Sequence, residues 1–360
     1  MCLSPIRIPN PNYHSKVPYI QSFKDTKSFY INVPCGVCSE CLMSKQMQLV
    51  QRARTMALDH YVFFCTLTYD NKHLPSITTS TGFDISFADI SDVQNMIKRI
   101  RRYNKFGRPF KFFFVSERGK EKGRPHFHGL FFIKKEDDDD KLLPAQLETS
   151  LSRVVFNEWR RNTAFRTNKN GEIVSNTRSP KYEPLFHFHS KYVGGKLYKN
   201  FDFHYVTPHT SEHGSDDVAF YATKYLLKPS DKERRLQQAL RLNLSKDEYE
   251  EVWKTVKSKV LCSKFFGNCT DLHKDYVLHG VEMSFNDSDG LKYFVSDGRS
   301  QPLAKYYKPL VEAKYSELSI MAQNGPIFDD DRDISQKLQS LEKGNRIISK
   351  VSNRDISELF

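Results

Sequence analysis

The chain has 360 residues, 39% hydrophobic and 13% aromatic, enough to bury one substantial core with smaller appended parts. Fifty-five Lys and Arg against 43 Asp and Glu give a net charge of +12 and a pI near 9.2, which favours a polyanionic partner, nucleic acid ahead of an acidic membrane surface. No apolar run approaches the roughly 18 to 20 residues that cross a bilayer, and Met1-Cys2-Leu3-Ser4-Pro5-Ile6-Arg7 has no signal-peptide core, so a soluble protein acting without a membrane is expected.

Residues 1–60 read as an N-terminal Cys-rich module: an irregular Pro-, Asn- and Ser-rich segment, then Cys35-Gly36-Val37-Cys38-Ser39-Glu40-Cys41, then a helix through Arg54. Seven cysteines, three of them in this cluster, suit metal ligation in a reducing cytoplasm better than disulfides. A catalytic domain is expected over 61–230. It opens with a strand ending at Tyr69, whose β-branched and aromatic bias is that of a central strand. Val93, Met96, Ile97, Ile100 and Tyr103 then recur at helical spacing, with Lys98, Arg99, Arg101, Arg102 and Lys105 on the other side.

Phe110 to Glu117 and His126 to Ile133 are apolar strands joined by a Gly- and charge-rich segment, so they form an antiparallel hairpin. The run from Glu136 to Asp140 is a solvated loop, Pro144 to Arg161 a helix, and Arg166 to Pro184 a long polar loop. Asn200 to Thr207 alternates as a strand, and Ser215 to Lys228 is a helix with acidic residues at its start and lysines before Pro229. Residues 231–360 form a C-terminal accessory region, helical and charged to about 260, then mixed, with a polar tail after Phe328.

His126-Phe127-His128 carries the chemistry. A strand projects residues i and i+2 to one side, so both imidazoles face one metal ion. If the hairpin turns at Glu121-Lys122, Glu117 lies opposite His126, where facing Cβ atoms are about 5 Å apart. Two imidazoles and a carboxylate leave coordination positions open for a phosphate oxygen; non-haem iron oxygenases use the same set and cupins a related one, and neither gives the tyrosines below a task. His187-Phe188-His189 lacks a nearby strand carboxylate and a following glycine, and is read as a chance match.

In Tyr221-Ala222-Thr223-Lys224-Tyr225 the tyrosines stand one above the other on a helix face. Beside a metal-bound phosphate, one of them attacks to give a 5′-phosphotyrosine and a free 3′-hydroxyl, with Lys224 contacting the phosphate or assisting phenolate formation. Amphipathic packing is the plainer account of such a pair.

Cys35, Cys38 and Cys41 are one ligand short of a tetrahedral thiolate site, which Cys2 could complete around a structural Zn²⁺. Cys262, Cys269 and His273 permit another site, although buried thiols are favoured; Cys65 is expected in the core. Lys98, Arg99, Arg101, Arg102, Lys105, Arg108 and Arg124 are candidate DNA contacts. The absence of Gly-x4-Gly-Lys-Ser/Thr leaves unwinding to another protein.

The strand Phe64-Cys65-Thr66-Leu67-Thr68-Tyr69, His126-Phe127-His128 and Tyr221-Ala222-Thr223-Lys224-Tyr225 occur in the order of HUH-type rolling-circle replication initiators, which the chain resembles over roughly residues 1–230. Cys2-Leu3-Ser4-Pro5, the cysteine cluster and Gly123-Arg124-Pro125-His126 are similar to the gokushovirus branch of the Microviridae. The resemblance implies an α+β HUH fold, with a ferredoxin/RRM-like antiparallel sheet flanked by helices. It also implies His126, His128 and Glu117 around Mg²⁺ or Mn²⁺, and Tyr221 and Tyr225 as nucleophiles. The substrate would be single-stranded or supercoiled phage origin DNA in the cytoplasm of a bacterial host, with host helicase and DNA polymerase. An HUH transposase or mobilisation nuclease, and a non-enzymatic zinc-containing nucleic-acid-binding protein, are the competing readings.

Overall fold

The computed structural model of the chain describes residues 4–10, 13, 29–35, 39–119, 122–136, 143–206, 231–282, 293–296 and 299–314. The expected helix from Ser215 to Lys228, the Asp137 to Asp140 stretch and the polar tail lie outside them. The fold is mixed α/β, with seven α-helices among the described residues around a five-stranded antiparallel sheet.

A two-stranded pair, β1 (Ile6–Pro9) with β2 (Tyr30–Val33), precedes α1 (Ser39–Ala57). The central sheet starts with β3 (His60–Leu67). After a hairpin of β4 (Ser76–Thr78) and β5 (Asp84–Ser86) comes α2 (Ile90–Arg102), followed by β6 (Phe110–Arg118), β7 (Pro125–Lys134) and α3 (Leu143–Glu158). Three short pairings fill 160–199: β8 (Arg160–Asn162) with β11 (Tyr182–Pro184), β9 (Phe165–Thr167) with β10 (Ile173–Ser175), and β12 (Ser190–Val193) with β13 (Lys196–Lys199). The sheet is then closed by β14 (Phe203–Tyr205). Beyond it lie α4 (Asp231–Asn243), α5 (Lys246–Val256), β15 (Val260–Cys262), α6 (Asp271–Glu282), the hairpin of β16 (Tyr293–Ser296) and β17 (Arg299–Pro302), and α7 (Lys308–Lys314).

The spatial order β14-β3-β7-β6-β15 puts the first four strands in the 4-1-3-2 arrangement of a βαββαβ unit. The fifth strand comes from residues 260–262, with Ser116 N–H donating to Lys259 O.

Both faces of the sheet are covered, so its strands are nearly continuous apolar runs rather than alternating ones. Phe63, Cys65, Leu67, Phe112, Phe114, Phe127 and Phe131 point to one face and pack on Val93, Met96, Ile97 and Ile100 of α2 and Leu147, Leu151 and Val155 of α3. Val62, Phe64, Val115, Leu130 and Phe132 point to the other and pack on Val50, Ala53 and Met56 of α1. Cys65 is fully buried in the first layer. Gly129 is required there, because a Cβ on it would lie 2.2 Å from Phe114 Cε1.

Two local expectations are corrected. Tyr103 does not extend the buried face of α2: the helix ends at Arg102, Asn104 turns left-handed at φ 45°, and the Tyr103 ring is 61% exposed. The polar stretch 166–184 is not one loop, since it contributes to β9, β10 and β11; pairings of three residues carry too little periodicity to be read from sequence.

The C-terminal elements dock on this frame. α4 and α5 bury Leu240, Val252 and Val256 against Ile85 of β5, and Glu248 accepts from Ser80 N–H and Oγ–H at 2.7 and 2.6 Å. Arg52 of α1 donates to Phe266 O at 2.8 Å and lies over the Tyr306 ring at 4.0 Å, so α1 joins the sheet to the last elements.

Candidate metal centre

The β6–β7 hairpin has the register Glu117↔His126 and Val115↔His128, and β3 places Thr66 opposite His128. His126 and His128 therefore project on the α1 side, at the end of the sheet where the hairpin turns. His126 Nε2 is 2.9 Å from His128 Nε2, and Glu117 Oε1 is 3.3 and 3.2 Å from the two nitrogens. Ligand atoms bound at about 2.1 Å stand ~3.0 Å apart at right angles and ~3.4 Å at the tetrahedral angle. All three separations fall at that spacing.

The far side of each ring supports the same assignment. His126 Nδ1 faces Arg124 O at 3.0 Å, and His128 Nδ1 faces Thr66 Oγ1 at 3.1 Å. A carbonyl only accepts and a hydroxyl can accept, so Nδ1–H donation leaves both Nε2 lone pairs aimed at one point. His128 also stacks on Phe64, with ring centroids 5.5 Å apart. Burial pushes the His128 imidazole below its ordinary pKa, against the pull of Glu117, which keeps it neutral. Burial alone would raise the Glu117 carboxyl, but hydrogen bonds and charge from His126 and His128 outweigh it and hold it at about 2. An ionised carboxylate and two neutral imidazoles form a hard, open donor set suited to a divalent cation.

One further group of potential ligands occurs among the described residues: Asp59, His60 and His273. Asp59 precedes β3 and His273 lies on α6, so sequence spacing held no sign of their meeting. Asp59 Oδ1 is 2.5 Å from His60 Nδ1 and 2.6 Å from His273 Nε2, which is hydrogen-bond rather than metal-edge spacing. Burial would raise Asp59 and lower His273; their mutual pairing, with His60 and Cys269 adding to it, instead holds Asp59 well below the carboxylate range and lifts His273 to about 9.

His273 Nδ1 lies 3.5 Å from Cys269 Sγ, so two members of the expected Cys262, Cys269, His273 group meet. Cys262 instead takes a contact from Arg52 at 3.8 Å, and both thiols are half-buried rather than buried. Cys35 Sγ and Cys41 Sγ lie 4.0 Å apart. Cys2, Cys38, Tyr221, Lys224 and Tyr225 lie outside the described residues. His187 faces Asp70 at 3.6 Å and His189 faces Asn200 at 2.7 Å; neither joins a ligand group among the described residues.

The candidate DNA contacts divide by what holds them. Arg99 donates to Glu158 Oε2 at 3.0 Å and to the carbonyls of Glu158 and Arg160. Lys105 pairs with Glu158 Oε1 at 2.5 Å. Arg101 binds Phe110 O, Arg108 binds Lys134 O and Glu136, and Arg124 braces the hairpin through Asn71 Oδ1 and Tyr69 O. Lys98 and Arg102 are exposed.

Residues 62–230 match the family model described as Replication-associated protein ORF2. The chain is 32% identical to Replication-associated protein ORF4 of Chlamydia phage 1 over 128 residues, which are 35% of this chain and 30% of that protein. It is 26% identical to Replication-associated protein ORF2 of Spiroplasma virus 4 over 175 residues, 44% and 53% of the two chains. Against Replication-associated protein VP4 of Bdellovibrio phage phiMH2K it is 30% identical over 131 residues, 35% and 40%. The matched stretches span between 30% and 53% of these relatives. No solved structure matches. The family match begins at Val62 in β3 and takes in both histidines and Glu117, and the chain belongs to the replication-associated proteins of the microvirus phages.

Proposed function

We propose that the protein is an HUH endonuclease that initiates rolling-circle replication by nicking origin DNA. The observation that carries this reading is the facing pair of Nε2 atoms at 2.9 Å with Glu117 beside them. Bound there, Mg²⁺ or Mn²⁺ would polarise a non-bridging oxygen of the scissile phosphate. Glu117 of β6 and His126 and His128 of β7 hold that position, with Thr66 of β3 and the Arg124 carbonyl fixing the rings.

Tyr221 or Tyr225 then supplies the nucleophile. Its phenolic oxygen bonds to phosphorus, its proton leaves to solvent or Lys224, and the P–O3′ bond breaks. The 3′-oxygen takes up a proton and serves as the primer end. The phosphotyrosine ester conserves the bond energy, so the same 3′-hydroxyl chemistry run in reverse joins the displaced strand into a circle. With two tyrosines, one holds the old 5′ end while the other cuts the regenerated origin.

Host helicase and polymerase would do the unwinding and extension, in the bacterial cytoplasm. No described helix is long and apolar enough to cross a membrane. A structural Zn²⁺ held by Cys2, Cys35, Cys38 and Cys41 fits the 4.0 Å separation of Cys35 and Cys41 Sγ, since thiolates at ~2.3 Å from zinc stand ~3.8 Å apart.

The test incubates the protein with single-stranded origin DNA and Mg²⁺ or Mn²⁺ and looks for a denaturation-resistant protein–DNA adduct. The wild type is expected to form it and the Tyr221→Phe/Tyr225→Phe double variant to lose it. An adduct that persists in the double variant rejects the tyrosine chemistry.

A further inference from the structure

A cleft of about 220 Å³ lies between the outer side of α2, β8 and β11. Lys98, Arg99 and Arg102 line it from α2, Arg160 and Arg161 from β8, and Tyr182 from β11. Asp92 is the one acidic residue of its lining, and Arg161 holds both its oxygens, at 2.9 and 2.5 Å. Beneath the rim, Glu158 is shared by Arg99, Arg160 and Lys105. Six cations thus meet two carboxylates, and both carboxylates are already engaged.

The paired cations shape the cleft wall. Arg99 and Arg160 each lie over the Tyr182 ring, 5.1 and 4.6 Å from its centroid, so Glu158 fixes a flat cation–aromatic platform. Lys98 and Arg102 have no carboxylate within ion-pairing distance among the described residues and reach into solvent at the cleft edge. Tyr103 stands beside them at the end of α2, 61% exposed. Free charges next to exposed aromatic and guanidinium planes suit a phosphate backbone whose bases are unpaired, because a paired base has no face to offer. The cleft sits behind α2, on the sheet face that carries Phe127, whereas His126 and His128 point to the opposite face.

We propose that this cleft binds single-stranded DNA, with Lys98 and Arg102 on phosphates and Tyr103 stacking on a base, and that the segment held there is distinct from the one presented to the metal centre. The inference rests on DNA being the substrate, but not on the nicking chemistry. It is therefore tested in chelator, by fluorescence anisotropy of a labelled oligothymidylate of about 30 nucleotides, long enough to cover several sites. Lys98→Ala/Arg102→Ala should weaken binding about tenfold and lower the slope of log affinity against log salt by roughly 1.4, two phosphate contacts at ~0.7 each. Tyr103→Ala should weaken binding at least about fivefold and leave the slope unchanged.

Wild-type affinity and slope in the double variant would overturn the proposal, as would loss confined to a duplex of the same length. Weakened oligothymidylate binding, in a protein that forms no adduct with metal present, would uphold the cleft and reject the nickase.

Discussion

The chain assembles two His–His–carboxylate groups, and they do opposite work. Glu117, His126 and His128 lie on adjacent strands with their donor atoms 2.9 to 3.3 Å apart, too far for good hydrogen bonds and right for sharing a cation. Asp59, His60 and His273 close to 2.5 and 2.6 Å, as an ion pair does. Position explains the difference. The first group has its outer ring nitrogens occupied by Arg124 O and Thr66 Oγ1, which turns the inner lone pairs towards each other. In the second, the carboxylate itself sits between the rings and takes their protons. The same residue types thus make a binding site or a staple according to which groups hold the far side of each imidazole.

Removing a member of each group separates the roles. His128→Ala should lower adduct formation by about 10³-fold or more, because metal stabilisation of phosphate charge is worth several kcal/mol, while the unfolding midpoint stays near that of wild type. His273→Gln should do the reverse. Breaking a buried ion pair costs roughly 3–5 kcal/mol, and His273 is fully buried, so denaturant unfolding should shift strongly with metal affinity retained.

The staple also has a pH window of definite sign. His273 is raised from 6.5 to about 9, so its contribution is complete below its unfolded pKa and disappears as pH rises through about 9. Asp59 is lowered from 3.8, so its contribution is present above that value and lost in acid. Unfolding free energy measured against pH should therefore decline faster above neutrality in wild type than in His273→Gln. Parallel curves would show that the pair is not ionised.

A smaller effect probes the orienting hydroxyl. Thr66→Val keeps the shape but cannot accept from His128 Nδ1, and should weaken metal binding by ~10- to 100-fold with little change in fold. Titration calorimetry with Mn²⁺ reads this directly, and unchanged affinity would mean that the Phe64 stack alone holds the ring.

The metal group was legible in the sequence because its parts are local in a sheet. A two-residue period, one hairpin and the expected turn position bring Glu117 opposite His126, and the structure has that register. The staple was not legible, because Asp59 and His273 are 214 residues apart and nothing in either neighbourhood marks the other. The basic face of α2 was read as a set, whereas Glu158, more than fifty residues later, engages Arg99 and Lys105 and leaves Lys98 and Arg102 open. Likewise the βαββαβ core followed from hydrophobic runs, but a fifth strand of three residues from beyond residue 230 carries no periodicity of its own.

The most direct measurement is the ¹⁴N coupling seen by pulsed electron paramagnetic resonance of protein-bound Mn²⁺. Histidine nitrogen couplings are expected that vanish in His126→Ala/His128→Ala and persist in His60→Ala. Couplings that survive the first substitution and vanish with the second would place the metal at Asp59 and contradict a metal centre on the β6–β7 hairpin.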